Sequence, residues 1–342
     1  MRILYYGPSN GNSGSRYQGL KLLGHNVEYV FEKDPVDSSC RLIRGLETRL
    51  YNGPVTMWLN KMFLRRAMQF KPELVWVEMG RSIFEKTLMQ IKERFGCLLV
   101  NSYSDDFLHK RSRHYNKSIP LYDYIFAARE VNFEEYQRFG SKNVGKFWKG
   151  FAPETIYPVE LTEQEREKFG SDVTFIGHCE PNRIERLSML AVTVENMKIW
   201  GPGWNRYRLP GTLKKVVQYR SVWNEEYRKT LCGAKIVVHY LTRWNRDTQV
   251  SKSFEIPACG AFMLTERTED HLACFEEDKE AVFFSTVEEL IEKVRFYLSN
   301  DELRRKIARA GRERCIKSGY SNYDRIKQML DEVIEYRNKT SK

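Results

Sequence analysis

The sequence predicts an α/β protein made of two doubly wound, Rossmann-like domains facing a central cleft. Three observations carry this expectation. Short apolar runs alternate with amphipathic stretches along the chain, the βαβ signature of parallel sheets. The alternation falls into two series of similar size, and 342 residues is about the length of two domains. Between the series lies Phe151–Phe169, rich in charge and holding Pro153 and Pro158, which reads as a linker. The expected divisions are 1–152, a linker at 153–170, a second domain at 171–320, and a terminal helix at 321–342 positioned to cross back to the first domain.

The elements follow in order. Arg2–Gly7 is a short β-type run, and the Gly/Ser/Asn segment Gly7–Gly14 reads as a loop. Tyr17, Leu20 and Leu23 fall at helical spacing, with Gly24 as C-cap, and Asn26–Phe31 is the next strand. Met57–Phe70 is an amphipathic basic helix stopped by Pro72. Leu74–Gly80, Cys97–Asp106 and Tyr122–Arg129 read as strands, separated by a helix at Ile83–Arg94 and followed by one at Val131–Gly140. The second series has strands at Asp172–His178, Met197–Trp204, Gly233–Leu241, Ala261–Thr265 and Ala281–Ser285. Its helices are expected at Arg183–Val192, Asn224–Leu231, Val250–Cys259 and Val287–Leu298. Glu302–Arg314 and Tyr323–Arg337 form a helical tail.

Composition excludes several classes. With 42% hydrophobic and 30% charged residues the chain is ordinary globular material, not a disordered or fibrous one. No apolar run reaches the ~18 residues of a membrane-spanning helix. The opening MRILYYGPSNG lacks the apolar core of a secretory signal. Seven cysteines without a CxxC pair fit reduced thiols in a cytoplasmic protein and argue against structural zinc. Lys plus Arg total 56 against 45 acids, for a net charge of +11, which attracts phosphate groups without saying which kind.

The motifs narrow this. Gly7–Gly14 lacks the GK[ST] ending of a P-loop and a clean GxGxxG, so NTP hydrolysis is not expected. Its backbone, Gly14 included, could still meet an anion at a helix start. Glu32 falls where a dinucleotide-binding acid would stand, which keeps a nicotinamide-dependent oxidoreductase as an alternative. The most informative stretch is Gln249–Thr265. Lys252 and Glu255 share one helix face, a cation for a diphosphate and a carboxylate for a ribose diol. A surface Lys–Glu pair on an amphipathic helix is the plainer reading of the same spacing. His178 follows a strand and turn and so is a candidate for the cleft, whereas His239 reads as a core or strand-end residue. Asp105 and Asp106 end a strand, as acceptor-side residues or as solvated caps. Trp58, Phe63, Arg65 and Arg66 could let the Met57–Phe70 helix graze an anionic membrane, though packing on the sheet is the simpler fate.

The stretch from Phe254 to Cys315, with its FE-x-x-A-x-G-A-F core and EAVFF…EEL…YL…GR tail, resembles the C-terminal domain of spore-maturation-protein-type glycosyltransferases. These are related to family 4-like retaining enzymes of GT-B fold. GHNVEYV and DVTFIGHCEPNRIERL resemble more loosely the matching parts of GT-B domains. The resemblance implies a sugar-nucleotide donor of UDP, GDP or dTDP type on the C-terminal domain, an acceptor on the N-terminal one, and retention of anomeric configuration. In the family's acid-x7-Glu motif the second Glu holds the ribose and the first acid lies near the sugar. Glu255 matches the second position, and Asp247 stands at the first as Asp instead of Glu. Arg246 and Lys252 are the nearest cations for the diphosphate, with Arg183 or Arg186 adding to them, and Gly177, Gly260 and Gly14 count among the nucleotide contacts. No metal, no separate cofactor and no nucleic-acid partner is expected. A glycan, lipid-linked, protein or small-molecule acceptor is, in a cytoplasmic protein with peripheral contact to the inner membrane face as the further option. A non-catalytic basic binder of nucleic acid or membrane is the remaining alternative.

Overall fold

The computed structural model describes residues 1–8, 11–32, 47, 51, 53–106, 108 and 112–340. The chain divides into two compact units. The first comprises Met1–Lys149, Arg243–Asp247 and Asn322–Lys342, and the second Gly150–Thr242 and Thr248–Ser321.

The first unit is a six-stranded sheet of β1 (Arg2–Pro8), β2 (Asn26–Glu32), β3 (Leu74–Glu78), β4 (Leu98–Tyr103), β5 (Tyr124–Ala127) and β6 (Val144–Lys146). All neighbours are parallel, in the order β2-β1-β3-β4-β5-β6. Ile3 to Tyr6 and Leu74 to Val77 are fully buried, as strands covered on both faces require. Leu4, Tyr6, Val75 and Val77 pack on one side with Leu59, Phe63 and Ala67, the apolar face of the helix Pro54–Phe70. That helix starts three residues before the expected Met57, with Pro54 in its first turn, where a missing N–H costs nothing. Met57 and Trp58 point outward, 61% and 54% exposed. On the other side Ile3, Tyr5, Trp76 and Phe126 meet Ile326, Met329, Leu330 and Val333 of the terminal helix Asn322–Thr340. Gly19 makes this close approach possible, since a Cβ there would come within 2.8 Å of Ile326 Cγ2 and 3.0 Å of Tyr323 Cα.

Part of the expected Gly7–Gly14 loop is helical. The helix Gly11–Leu22 begins there because Ser13 has a buried partner: its Oγ donates to Glu78 at 2.8 Å. Gly24, at φ +81°, closes the helix. Strand β6 and the short helix Arg113–Ser118 have no counterpart in the sequence-based reading.

The second unit is a five-stranded parallel sheet of β7 (Ser171–Ile176), β8 (Met197–Trp200), β9 (Ala234–His239), β10 (Met263–Glu266) and β11 (Val282–Phe284), in the order β11-β10-β9-β7-β8. The stretch read as a linker is folded into this unit. Phe151 N–H donates to Tyr320 O at 3.3 Å, and Glu163–Phe169 is a helix with a capping box formed by Thr162 and Glu165. Lys229 ties Glu165 to the body of the unit at 2.6 Å.

Candidate functional site

In open parallel sheets a ligand crevice lies beyond the carboxyl ends of the strands, where the strand order reverses. In the second unit that point falls between β7 and β9. The chain leaves β7 through Gly177 and His178 and leaves β9 through Tyr240, Leu241 and Thr242.

Two cations converge there. Lys252, on the helix Lys252–Ala258, donates from Nζ to the Ile176 carbonyl at 2.5 Å. Burial lowers its ammonium to a pKa of about 8; Glu255 works against that shift and Arg183 adds to it. Arg183, buried on the helix Pro181–Thr193, donates to His178 O at 3.0 Å, to Leu241 O and Thr242 Oγ1 at 3.3 Å each, and pairs with Glu180 at 2.9 Å. It staples the two strand exits together. His178 stands exposed on the turn. Partial desolvation and then Lys252, Arg183 and Arg206 hold it below its usual pKa, so it is neutral at pH 7 beside a positive surface.

Glycines set the shape of this turn. Gly177 N–H donates to Trp200 O at 2.8 Å, and Gly177 O accepts from Trp204 Nε1 at 3.1 Å. A Cβ on Gly201, which sits at φ +138°, would lie 2.0 Å from that same oxygen. Only glycine lets the two strand exits close up.

One helical turn beyond Lys252, Glu255 accepts a hydrogen bond from Tyr227 Oη at 2.7 Å. Desolvation of the ring, then the charge of Glu255 and this bond, hold the Tyr227 phenol protonated far above neutral pH. A carboxylate can accept about four hydrogen bonds, so Glu255 can hold a diol while keeping Tyr227. Tyr227 went unnoticed in the sequence, where it stands 28 residues from its partner within a polar helix. The helix carrying Lys252 and Glu255 has seven residues, with Pro257 inside, and is shorter than the expected Val250–Cys259. The anion-attracting feature is therefore the ammonium of Lys252 more than a helix dipole.

Other expected site residues lie elsewhere. Gly260, at φ +71°, ends this helix: its N–H donates to Pro257 O at 2.8 Å, and Ala261 N–H reaches Ile256 O at 3.2 Å. It borders a recess of roughly 640 Å³ around Ser171, Ala234 and Gly260, at the amino ends of the strands. Of its cations, Arg304 and Arg305 pair with Asp301 and Lys235 with Asp172, while Arg166 and Lys198 donate to backbone carbonyls. Arg186 is paired with Glu266 at 3.1 Å.

Arg246 and Asp247 belong by their contacts to the first unit, whereas the sequence-based divisions set them in the second domain. Arg246 ion-pairs with Asp106, and its Nη1 lies 2.9 Å from Glu135. Asp247 pairs with Arg129 and accepts from Asn245 Nδ2 at 2.8 Å. Burial raises the Asp247 pKa even against Arg129 and Lys149. Burial also pushes Asp106 up, but Arg246, with the Leu108 N–H and Asn132, outweighs it and leaves the group below its usual value. Asp106 is thus occupied by a structural partner. Gly14 lies inside the first helix of the first unit, where an added Cβ would meet nothing within 4 Å. Glu32 is the last residue of β2, the edge strand. His239 is buried, with Nδ1 3.2 Å from Thr265 Oγ1, as a core histidine should be. Among the described residues no cluster of three or more His, Cys, Asp or Glu is arranged to hold a metal ion, and no helix is long and apolar enough to cross a membrane.

Residues 183–331 match the family model described as Glycosyl transferase-like. No curated protein sequence matches the chain. Among solved structures, sucrose-phosphate synthase from Thermosynechococcus elongatus superposes with a TM-score of 0.69 at 12% identity, over 98% of each chain. A glycosyltransferase from Rickettsia africae ESF-5 gives 0.66 at 12% identity, again over 98% of each. Anabaena HepE in complex with UDP-glucose gives 0.64 at 10% identity, over 98% of this chain and 100% of that one. The architecture is GT-B: two parallel-sheet α/β domains of six and five strands.

Proposed function

We propose that this chain is a glycosyltransferase that moves a sugar from a nucleotide-sugar donor to a hydroxyl acceptor. The observation that carries the reading is the half-buried Lys252 ammonium at the carboxyl end of β7, one turn from a Tyr227-oriented Glu255. In this reading Lys252 faces the diphosphate of the donor and Glu255 takes the ribose hydroxyls. The match of residues 183–331 to a glycosyltransferase-like family supports it, as does the UDP-glucose bound by HepE.

The donor is of UDP, GDP or dTDP type. As the bond between sugar C1 and the diphosphate oxygen breaks, the electron pair stays with the oxygen. Lys252 stabilises the charge that grows there more than it stabilises the bound donor, which is the condition for catalysis. The acceptor hydroxyl attacks C1 and its proton passes to the departing phosphate, so retention needs no dedicated protein base. The resemblance of Phe254–Cys315 to spore-maturation-protein-type enzymes favours that retaining course. His178, neutral and exposed beside Lys252, can exchange hydrogen bonds with the sugar or phosphate.

A thermal-shift series tests the reading. A nucleoside diphosphate at 100 times its dissociation constant adds about 2.7 kcal/mol of stability. UDP, GDP or dTDP should raise the melting temperature of the wild type, and that of Lys252→Ala by less. If none of the three, nor their sugar forms, stabilises the folded protein, the reading fails.

A further inference from the structure

Two cysteines of the second unit lie beside each other on the helices that carry Tyr227 and Glu255. Cys232 lies near the end of the helix Asn224–Gly233, and Cys259 is the C-cap of the helix Lys252–Ala258. The Cys232 thiol donates to Cys259 O at 3.6 Å, which sets the two cysteines side by side. Cys232 is half-buried and borders the recess at the amino ends of the strands, which opens to solvent, while Cys259 is 3% exposed behind it. We propose that Cys232 and Cys259 form a peroxide-oxidisable thiol pair, with Cys232 as the attacking sulfur and Cys259 as the resolving one.

The surroundings suit these roles. Cys232 reaches solvent through the recess and Cys259 lies behind it; the adjoining Cys259 side chain, against burial and with Val159 and Arg228 adding to the effect, favours the Cys232 thiolate below the ordinary thiol range. Burial and the adjacent sulfur push Cys259 the other way. Burial pushes Cys97 and Cys179 up to about 11, so these are poor nucleophiles at neutral pH. In the first step the Cys232 thiolate attacks hydrogen peroxide. The O–O bond breaks, a sulfenic acid forms and hydroxide leaves. The Cys259 thiol then attacks the sulfenic sulfur, the S–S bond forms and water departs. In sum two thiols and one peroxide give a disulfide and two waters, and a dithiol reductant reverses the change. The bond would tie the helix that carries Tyr227 to the helix that carries Glu255, four to five residues from that hydrogen bond.

The test titrates the full chain with hydrogen peroxide, alkylates the remaining thiols and maps unreduced peptides by mass spectrometry. The expected map has a Cys232–Cys259 link that forms before other cysteines react and that dithiothreitol removes. Cys232→Ser should lose the link. Cys259→Ser should leave a sulfenic acid at Cys232 that dimedone traps. The wild-type map decides by itself if a variant fails to fold. Cys232 and Cys259 both remaining alkylated at a peroxide concentration that oxidises free cysteine overturns the proposal, as does a link from either to Cys179. None of these readouts needs nucleotide, so they stand apart from the test of glycosyl transfer.

Discussion

Removing the Lys252 side chain should cost turnover and not merely affinity. The half-buried ammonium donates to the Ile176 carbonyl, and its pKa has fallen to about 8. A fall of that size from 10.5 corresponds to a net cost to the charged form of roughly 3 kcal/mol. A bound diphosphate can return that energy, and the return is largest when charge gathers on the leaving oxygen. A unit charge at about 4 Å in an effective dielectric of about 20 contributes roughly 4 kcal/mol. Single electrostatic contacts of this kind are worth about 10²- to 10³-fold in turnover. Lys252→Ala should therefore lower the rate at saturating donor by about 100-fold, measured as nucleotide release from a sugar nucleotide that binds. Lys252→Arg should retain part of the rate, because charge counts for more than shape here. An unchanged rate at saturation, with only the Michaelis constant raised, would refute the reasoning.

Further expectations follow from the same geometry. Glu255→Ala should weaken UDP binding by roughly 1.5–3 kcal/mol in calorimetry, the range for hydrogen bonds to a charged group, and Tyr227→Phe should weaken it by less; equal affinity in both variants would remove the ribose assignment. Because the folded-state pKa of Lys252 is lowered to about 8, nucleotide affinity should hold steady between pH 7 and about 8 and then fall by up to tenfold per pH unit, while a flat profile to pH 9.5 would exclude Lys252 as the cation. Gly201→Ala must displace the Gly177 carbonyl 2.0 Å from the new Cβ; it should cost about 2 kcal/mol or more of stability and weaken nucleotide binding together with it, as chemical denaturation and calorimetry would report. Arg129→Met leaves Asp247 buried without its partner and should destabilise by about 3–5 kcal/mol, whereas pairing it with Asp247→Leu should recover much of the loss; full stability in the single variant would contradict the buried pair.

Most strands were legible because parallel strands buried on both faces are continuous apolar runs. LVWV at Leu74–Val77 and IVVH at Ile236–His239 needed no tertiary information. Strand β6, three residues long, is too short to show a pattern. The helix Glu163–Phe169 carried a readable signal, the T-x-x-E capping box at Thr162 and Glu165, but Pro153, Pro158 and the run of charge obscured it. At the site, Lys252 and Glu255 were visible because three-residue spacing is local to one helix. The packing partners of Arg246 and Asp247 were not legible for the complementary reason. Their partners, Asp106 and Arg129, lie 140 and 118 residues away, and spacing from Glu255 carries no information about them. Tyr227 was missed on the same ground.

The position of the bound nucleotide tests the central claim most directly. A crystal structure of the protein grown with UDP-glucose, or with whichever sugar nucleotide stabilises it most, should place the diphosphate within hydrogen-bonding distance of Lys252 Nζ. The ribose hydroxyls should lie on Glu255, beside the Gly177–His178 turn. A nucleotide seated instead in the recess around Ser171, Ala234 and Gly260, with Lys252 and Glu255 untouched, would contradict the account.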